Sequence, residues 1–437
     1  MARFLFTCWP LTGHVFGQVA IAGALRDRGH DVAFYTGESA RGVLEQEDLT
    51  VLGFSRLDER RARDAVAAIE GGFRPGRRGG RRLLAAFRDW LVETIPDQLA
   101  DLEPLIEEWQ PVVIVCDLSM WAPQVVLWEK LEVPVALSST FMGPLIPGPD
   151  APAWGLGMQA PRTSAQRATA RALTRVTELL GQPLRRRVDA LRAEHGLPPM
   201  GCSVNRFAAR LPLYLVGNVR ELDYDRRDLP PSVHYVGASH WHPADDGSTE
   251  AFLRTVPDRR PWVHVTESTV HSGDPFILRA AARGLADAPV EAILTTGGHR
   301  DPASLGLGSV PPNIHVTRWL SHPELLPRCS VVVTAGGQAT VLSALRAGVP
   351  LVLVPTTWDK PDNAQRVVSA GAGVRVAPKR CKPEALLSAV LEVLREPSYA
   401  AAAKRLGARL GERPGAVLAA ELLEELAPSY AVVEETR

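Results

Sequence analysis

Short, unbroken apolar runs recur along this chain, each followed by a segment of helical period. In the first half they fall at 3–8, 32–36, 112–116 and 133–137, and in the second at 263–266, 291–295, 314–317, 331–334, 351–354 and 374–376. A run without polar alternation describes a strand covered on both faces, and strands alternating with helices describe a parallel sheet between helical layers. After the first run, Val15, Val19, Ala22 and Leu25 place one apolar stripe on a helix over 16–28, and Gly29 ends it before the next strand. The chain therefore opens as a βαβ unit. The expected fold is α/β, with two doubly wound parallel-sheet domains and ligands outside the carboxyl ends of the strands.

At 437 residues there is material for two large domains. Charges and prolines cluster in 218–243 (RELDYDRRDLPPS within it), which reads as a linker between an N-terminal domain, 1–217, and a C-terminal domain, 244–412. A last amphipathic helix, 416–426, falls in the closing segment 413–437. Helical pattern also covers 83–109, broken at Pro96, and 165–194; residues 143–161, rich in Pro and Gly, read as an irregular loop. The Arg/Gly cluster at 74–82 reads as a mobile, solvated loop.

Composition removes several classes of function. The 49 Lys and Arg balance 49 Asp and Glu, so the chain lacks the basic excess of a general nucleic-acid binder. With 46% hydrophobic residues it can fill a core. Five cysteines with no C-x-x-C spacing argue against a disulfide framework or zinc site and point to a reducing cytoplasm. No apolar stretch approaches the roughly 18 residues a membrane helix needs, and the 3–8 run lacks a cleavage site behind it.

The segment 319–364, WLSHPELLPRCSVVVTAGGQATVLSALRAGVPLVLVPTTWDKPDNA, concentrates the chemistry. The strand at 331–334 runs through Ala335 into Gly336-Gly337 and a helix beginning near Gln338. Two glycines there let a ligand approach the backbone, and the free N–H groups of Gln338, Ala339 and Thr340 attract an anion, with the Thr340 hydroxyl beside them. The same pair also suits a tight packing turn. Asp359 follows the next strand and can accept hydrogen bonds from sugar hydroxyls or cap a helix. Trp319 can stack on a pyrimidine base or fill a core.

This segment resembles the donor-binding motif of family 1 glycosyltransferases, the UDP-glycosyltransferase superfamily, and most of all its bacterial branch acting on macrolides and other natural products. The family pattern runs W-x-P-Q, H-x-G-x-x-[ST]-x-x-E, G-V-P and P-x-x-x-D-Q-x-x-N-A. Trp319, Gly337, Thr340, Gly348-Val349-Pro350, Pro355, Asp359 and Asn363-Ala364 match it in order and spacing, as does the N-terminal strand, Gly13-His14 turn, helix and Arg28–Val32. The resemblance implies a GT-B fold of two facing Rossmann-like domains, with the acceptor held by the first and a nucleotide sugar by the second. It also implies that the last helix crosses back onto the first domain.

Several positions depart from the family. Ala335 stands for the phosphate-binding His, Ser343 for the Glu that grips the ribose hydroxyls, Lys360 for Gln, and Ser321-His322 for Pro-Gln. Losing the ribose Glu costs least if the donor is a deoxythymidine diphosphate sugar, which lacks the 2′-hydroxyl, although a UDP-sugar stays possible. Lys360 remains a donor-binding candidate, as does Thr269 in the first C-domain loop.

His14 follows the first strand, and its imidazole suits it to take a proton from an acceptor hydroxyl near neutral pH. Asp117, at the end of another strand, can hold that imidazole in the right tautomer. The resemblance assigns this pair the catalytic role; Gly17 stands where the family usually has Pro. Among the aromatics of the first half, Trp9, Phe16, Trp121 and Phe141 lead as lining for an apolar acceptor pocket. Asp223-Tyr224-Asp225 spells a metal-binding D-x-D but reads as a solvated turn.

The expected activity is a cytoplasmic, metal-independent inverting transferase with no cofactor beyond its nucleotide-sugar co-substrate, monomeric or homodimeric. Its partners would be small molecules, not nucleic acid or membrane. An epimerase on the same scaffold and a non-catalytic sugar-nucleotide binder are the alternatives.

Overall fold

The computed structural model describes residues 1–72, 77–131, 133–267, 274–298 and 300–434. The first sheet has seven parallel strands, β1 (Arg3–Thr7), β2 (Asp31–Thr36), β3 (Thr50–Gly53), β4 (Val113–Asp117), β5 (Val135–Ser139), β6 (Leu213–Val216) and β7 (Val233–Tyr235). Their order across the sheet is β3-β2-β1-β4-β5-β6-β7. Helix α1 (Thr12–Asp27) joins β1 to β2, and α2 (Ser164–Leu180) and α3 (Gln182–Glu194) lie between β5 and β6.

The second sheet has six parallel strands in the order β10-β9-β8-β11-β12-β13. These are β8 (Trp262–Thr266), β9 (Glu291–Thr295), β10 (Ile314–Thr317), β11 (Cys329–Thr334), β12 (Leu351–Leu353) and β13 (Gly373–Arg375). Helix α4 (Gln338–Arg346) follows β11 and α5 (Lys360–Ser369) follows β12. The apolar runs are central strands because helices cover both faces: every residue of β4, β5, β8 and β9 is buried.

The closing helix α6 (Gly415–Glu434) returns to the first sheet. Its Ala419, Ala420 and Leu423 are fully buried in one cluster with Phe4, Phe6, Val19 and Phe34. Arg28 and His30, at the turn after α1, both hydrogen-bond Glu424 of α6, at 2.8 and 2.7 Å.

Some sequence expectations need correction. Helix α1 begins at Thr12, so His14 sits in its first turn and not in a turn before it. Residues 218–243 are not merely a linker, since they hold β7, which pairs along β6; three residues make too short a run to announce a strand. The helix Arg77–Phe87 takes in 77–82, where a loop was expected, while 73–76 lie outside the described residues. The helix-forming stretch at 81–87 extends back through the glycines.

Candidate active site

Each sheet reverses its direction of winding once, between β1 and β4 in the first and between β8 and β11 in the second. Strand ends diverge at such a point and leave a crevice. Both crevices open into one cleft of about 910 Å3 between the domains.

On the first side, α1 carries His14 and the last residue of β4 is Asp117. Asp117 is fully buried, and a carboxylate there needs donors. It has three: His14 Nδ1 lies 2.9 Å from Oδ2, Ser119 donates its N–H to Oδ1 at 2.8 Å, and the Ser119 hydroxyl donates to the same oxygen. A carboxylate accepts only, so Nδ1 carries the hydrogen and Nε2 keeps its lone pair. Burial opposes charge on the imidazole, but the charge and hydrogen bond of Asp117, with Asp359 across the cleft, outweigh it. His14 therefore titrates above its ordinary 6.5.

On the second side, β11 passes through Ala335 into the glycine pair. Gly336 has φ of +92°, and a Cβ there would lie 3.4 Å from Leu353 Cδ2 and from the Lys360 carbonyl oxygen, so glycine is required. Gly337 precedes α4 in an extended conformation, and no side chain caps the helix start. The first-turn N–H groups of α4 are left to face the cleft, where the helix dipole favours an anion. Asn363 Nδ2 donates to the Gly336 carbonyl at 3.0 Å and to Asp359 Oδ2 at 2.7 Å, locking the turn to Asp359. Burial raises the Asp359 pKa against the lowering effect of Asn363 and Lys360.

The cleft is lined by His14, Trp121 and Phe141 from the first domain and by Trp319, Gly337, Gln338, Ala339, Thr340, Asp359 and Lys360 from the second. Asp117 stands behind His14, and Gly336 shapes the turn from behind Gly337. Two aromatic candidates are corrected. Trp9 is fully buried, donates Nε1–H to the Ser119 carbonyl and packs edge-on to Phe54 and Trp90. Phe16 packs edge-on to Trp241, 4.9 Å between centroids, in the layer where α6 lies. Neither lines the cleft. Thr269 lies outside the described residues.

Sequence reasoning missed Trp358. It lies one residue before Asp359, at φ +63°, strained for a bulky side chain, and its ring meets Phe87 and Trp90 of the first domain edge-on at 5.7 and 5.9 Å. No spacing in the sequence links residues so far apart. The supposed solvated turn at Asp223 is also corrected: its side chain is 1% exposed and accepts from Arg366 of α5 at 2.7 Å and from Tyr235 at 2.6 Å. That pair ties α5 to the first domain.

Residues 284–426 match the model of the erythromycin biosynthesis protein CIII-like C-terminal domain. Over 430 residues, 97% of this chain and 99% of the relative, the sequence is 33% identical to the 4'-demethylrebeccamycin synthase of Lentzea aerocolonigenes. The chain is a family 1 glycosyltransferase. The demethyllactenocin mycarosyltransferase of Streptomyces fradiae is 24% identical over 98% of this transferase and 87% of its own length. In fold, the transferase superposes on the glycotransferase of kitacinnamycin with a TM-score of 0.73, at 22% identity over 97% and 98% of the two chains. The calicheamicin glycosyltransferase gives 0.72, at 19% identity over 99% of each. The fold is thus GT-B, and the transferase belongs among the glycosyltransferases of natural-product biosynthesis. Among its described residues no helix is long and apolar enough to cross a membrane.

Proposed function

We propose that this transferase moves a sugar, with inversion, from a nucleotide diphosphate to a hydroxyl of a hydrophobic natural product such as a polyketide or macrolide. One observation carries the reading: a carboxylate-held histidine and an uncapped helix start line the same cleft from opposite domains. The diphosphate rests on the N–H groups of Gln338, Ala339 and Thr340, the base stacks on Trp319, and Asp359 and Lys360 meet the sugar. The acceptor hydroxyl gives its proton to His14 Nε2 while its oxygen attacks the anomeric carbon. The bond from that carbon to the diphosphate oxygen breaks on the opposite face, and the nucleotide leaves with the electron pair.

Asp117 holds the tautomer and steadies the imidazolium that forms. The departing charge is met by the α4 N–H groups, so the reaction as proposed asks for no metal or other cofactor. Ser343, in place of a ribose-gripping carboxylate, favours a dTDP-deoxysugar over a UDP-sugar.

A thermal-shift panel of dTDP, UDP and their sugars tests the donor assignment. Saturation at about 100 times Kd adds roughly 2.7 kcal/mol of stability, so dTDP should raise Tm more than UDP at equal concentration. The reverse order would reject the thymidine preference, and no shift with any nucleotide would reject the donor site. Incubation with sugar nucleotide alone should leave the sugar unchanged; its epimerisation would favour the epimerase reading.

A further inference from the structure

The cleft has a wall built from α3 and the segment 201–206, apart from the reacting pair. Arg185, Cys202, Ser203 and Arg206 all line it. Two of its polar atoms are buried without a hydrogen-bond partner, Arg185 Nε and Ser203 Oγ. The Asp189 carboxylate paired with Arg185 lies 3.9 Å from Nε, beyond hydrogen-bond reach, and accepts instead from the Met200 N–H at 2.8 Å. Ser203 stands immediately before the short helix Val204–Phe207, yet its hydroxyl does not cap it.

Donor atoms buried without partners are costly, and both residues line the cleft, where a ligand oxygen can accept. The net charge around them is positive. Arg185, Arg206 and Arg210 face Asp189 and Glu178, with Arg206 paired to Glu178 and Arg210 lying over the Phe207 ring, which leaves one cation in excess. Burial raises the Cys202 thiol while the guanidiniums of Arg210, Arg206 and Arg185 pull it down. The charges that bear on His14 are Asp117 and Asp359, so the two neighbourhoods share no member. Trp90, in the same cleft, also has a buried Nε1–H without a partner, and an indole N–H can only donate.

We infer that this wall is a subsite for a carboxylate on the acceptor, gripped by Arg185 and the Ser203 hydroxyl. The acceptor is then an amphiphile: an apolar body along Trp121, Phe141 and Leu184, a nucleophilic hydroxyl at His14 and an anionic end at Arg185. The inference rests on the reading of this cleft as the acceptor site.

Titration calorimetry on the full chain with two probes tests it: 6-hydroxy-2-naphthoic acid, and 6-methyl-2-naphthol, in which a methyl replaces the carboxylate. The wild type should bind the acid about tenfold more tightly, the gain of one charge-assisted hydrogen-bonded pair. Arg185→Met should bring that ratio to within about twofold, and Ser203→Ala should lower it by about threefold; melting curves establish that each variant is folded. A wild type that binds the two probes equally, or binds neither at millimolar concentration, overturns the subsite, as does a folded R185M that keeps the preference. Sugar transfer is scored separately with the same probes. Preference without transfer would stand against the transferase mechanism and for the subsite, whereas transfer without preference would do the opposite.

Discussion

His14 and Asp117 lie 103 residues apart in sequence and meet because β1 and β4 are neighbours at the point where the first sheet reverses. The raised pKa of His14 fixes a sign. A base must be neutral to work, so kcat/KM should climb as pH rises through a value above 6.5. Asp117→Asn removes the leading attraction that raises this pKa; the acid limb should move to lower pH while kcat falls by roughly 10²–10⁴-fold through loss of the correct tautomer. A limb that stays in place would refute the coupling. The same shift bears on stability: the folded pKa exceeds the unfolded one, so the pair's contribution is fully present below about pH 6.5 and is lost as pH rises through the raised value. Candidate residues at strand ends were legible in sequence because the apolar runs mark where strands stop. The two misplaced aromatics show the limit: Trp9 follows β1 more closely than His14 does, but position along the chain does not say which layer a side chain enters.

At the scale of elements, the segment after β3 is held by one buried carboxylate. Asp101, on the helix Ile95–Trp109, accepts from the Tyr35 hydroxyl at 3.0 Å and from the N–H groups of Ser55, Arg56 and Leu57 at 3.0, 2.9 and 3.3 Å. Asp101→Ala leaves the buried Tyr35 hydroxyl and Leu57 N–H unpaired and should cost about 2–4 kcal/mol, read as a lower urea midpoint with an unchanged slope. A loss below about 0.5 kcal/mol would show that the segment holds itself. Elements with an unbroken apolar run, such as β4, β8 and β11, were read from the sequence almost to the residue. Strands β3, β6 and β7 were not: β3 is half-exposed and β7 three residues long at the sheet's edges, and β6, though buried, is a run of only four residues.

For the whole molecule, the domains are joined by polar contacts that no motif announces. Asp362 of α5 accepts from the N–H groups of Gly155 and Gly157 at 2.6 and 2.7 Å, Arg375 donates to the Gly157 carbonyl at 3.0 Å, and Arg366 pairs with Asp223. The 143–161 stretch was legible as an irregular loop, but its role as a bridge depends on geometry. Helix α6 has its own clasp. Glu424 is held down to about 2, chiefly by its hydrogen bond to Arg28 and also by His30. A depressed acid stabilises above its unfolded pKa and loses that contribution as pH falls through the folded one, so α6 should loosen between about pH 4.5 and 2. Hydrogen exchange across 415–427 would follow this. Glu424→Gln should remove the acid dependence, and an unaltered profile would place the clasp elsewhere.

The central claim is that two domains close on a sugar nucleotide, one presenting an imidazole and the other an anion cradle. It is tested most directly by His14→Ala, measured for turnover and for nucleotide affinity in the same preparation. Turnover should fall by about 10²–10⁴-fold while the nucleotide Kd stays within about twofold. Undiminished turnover in a variant that still binds nucleotide would contradict the account.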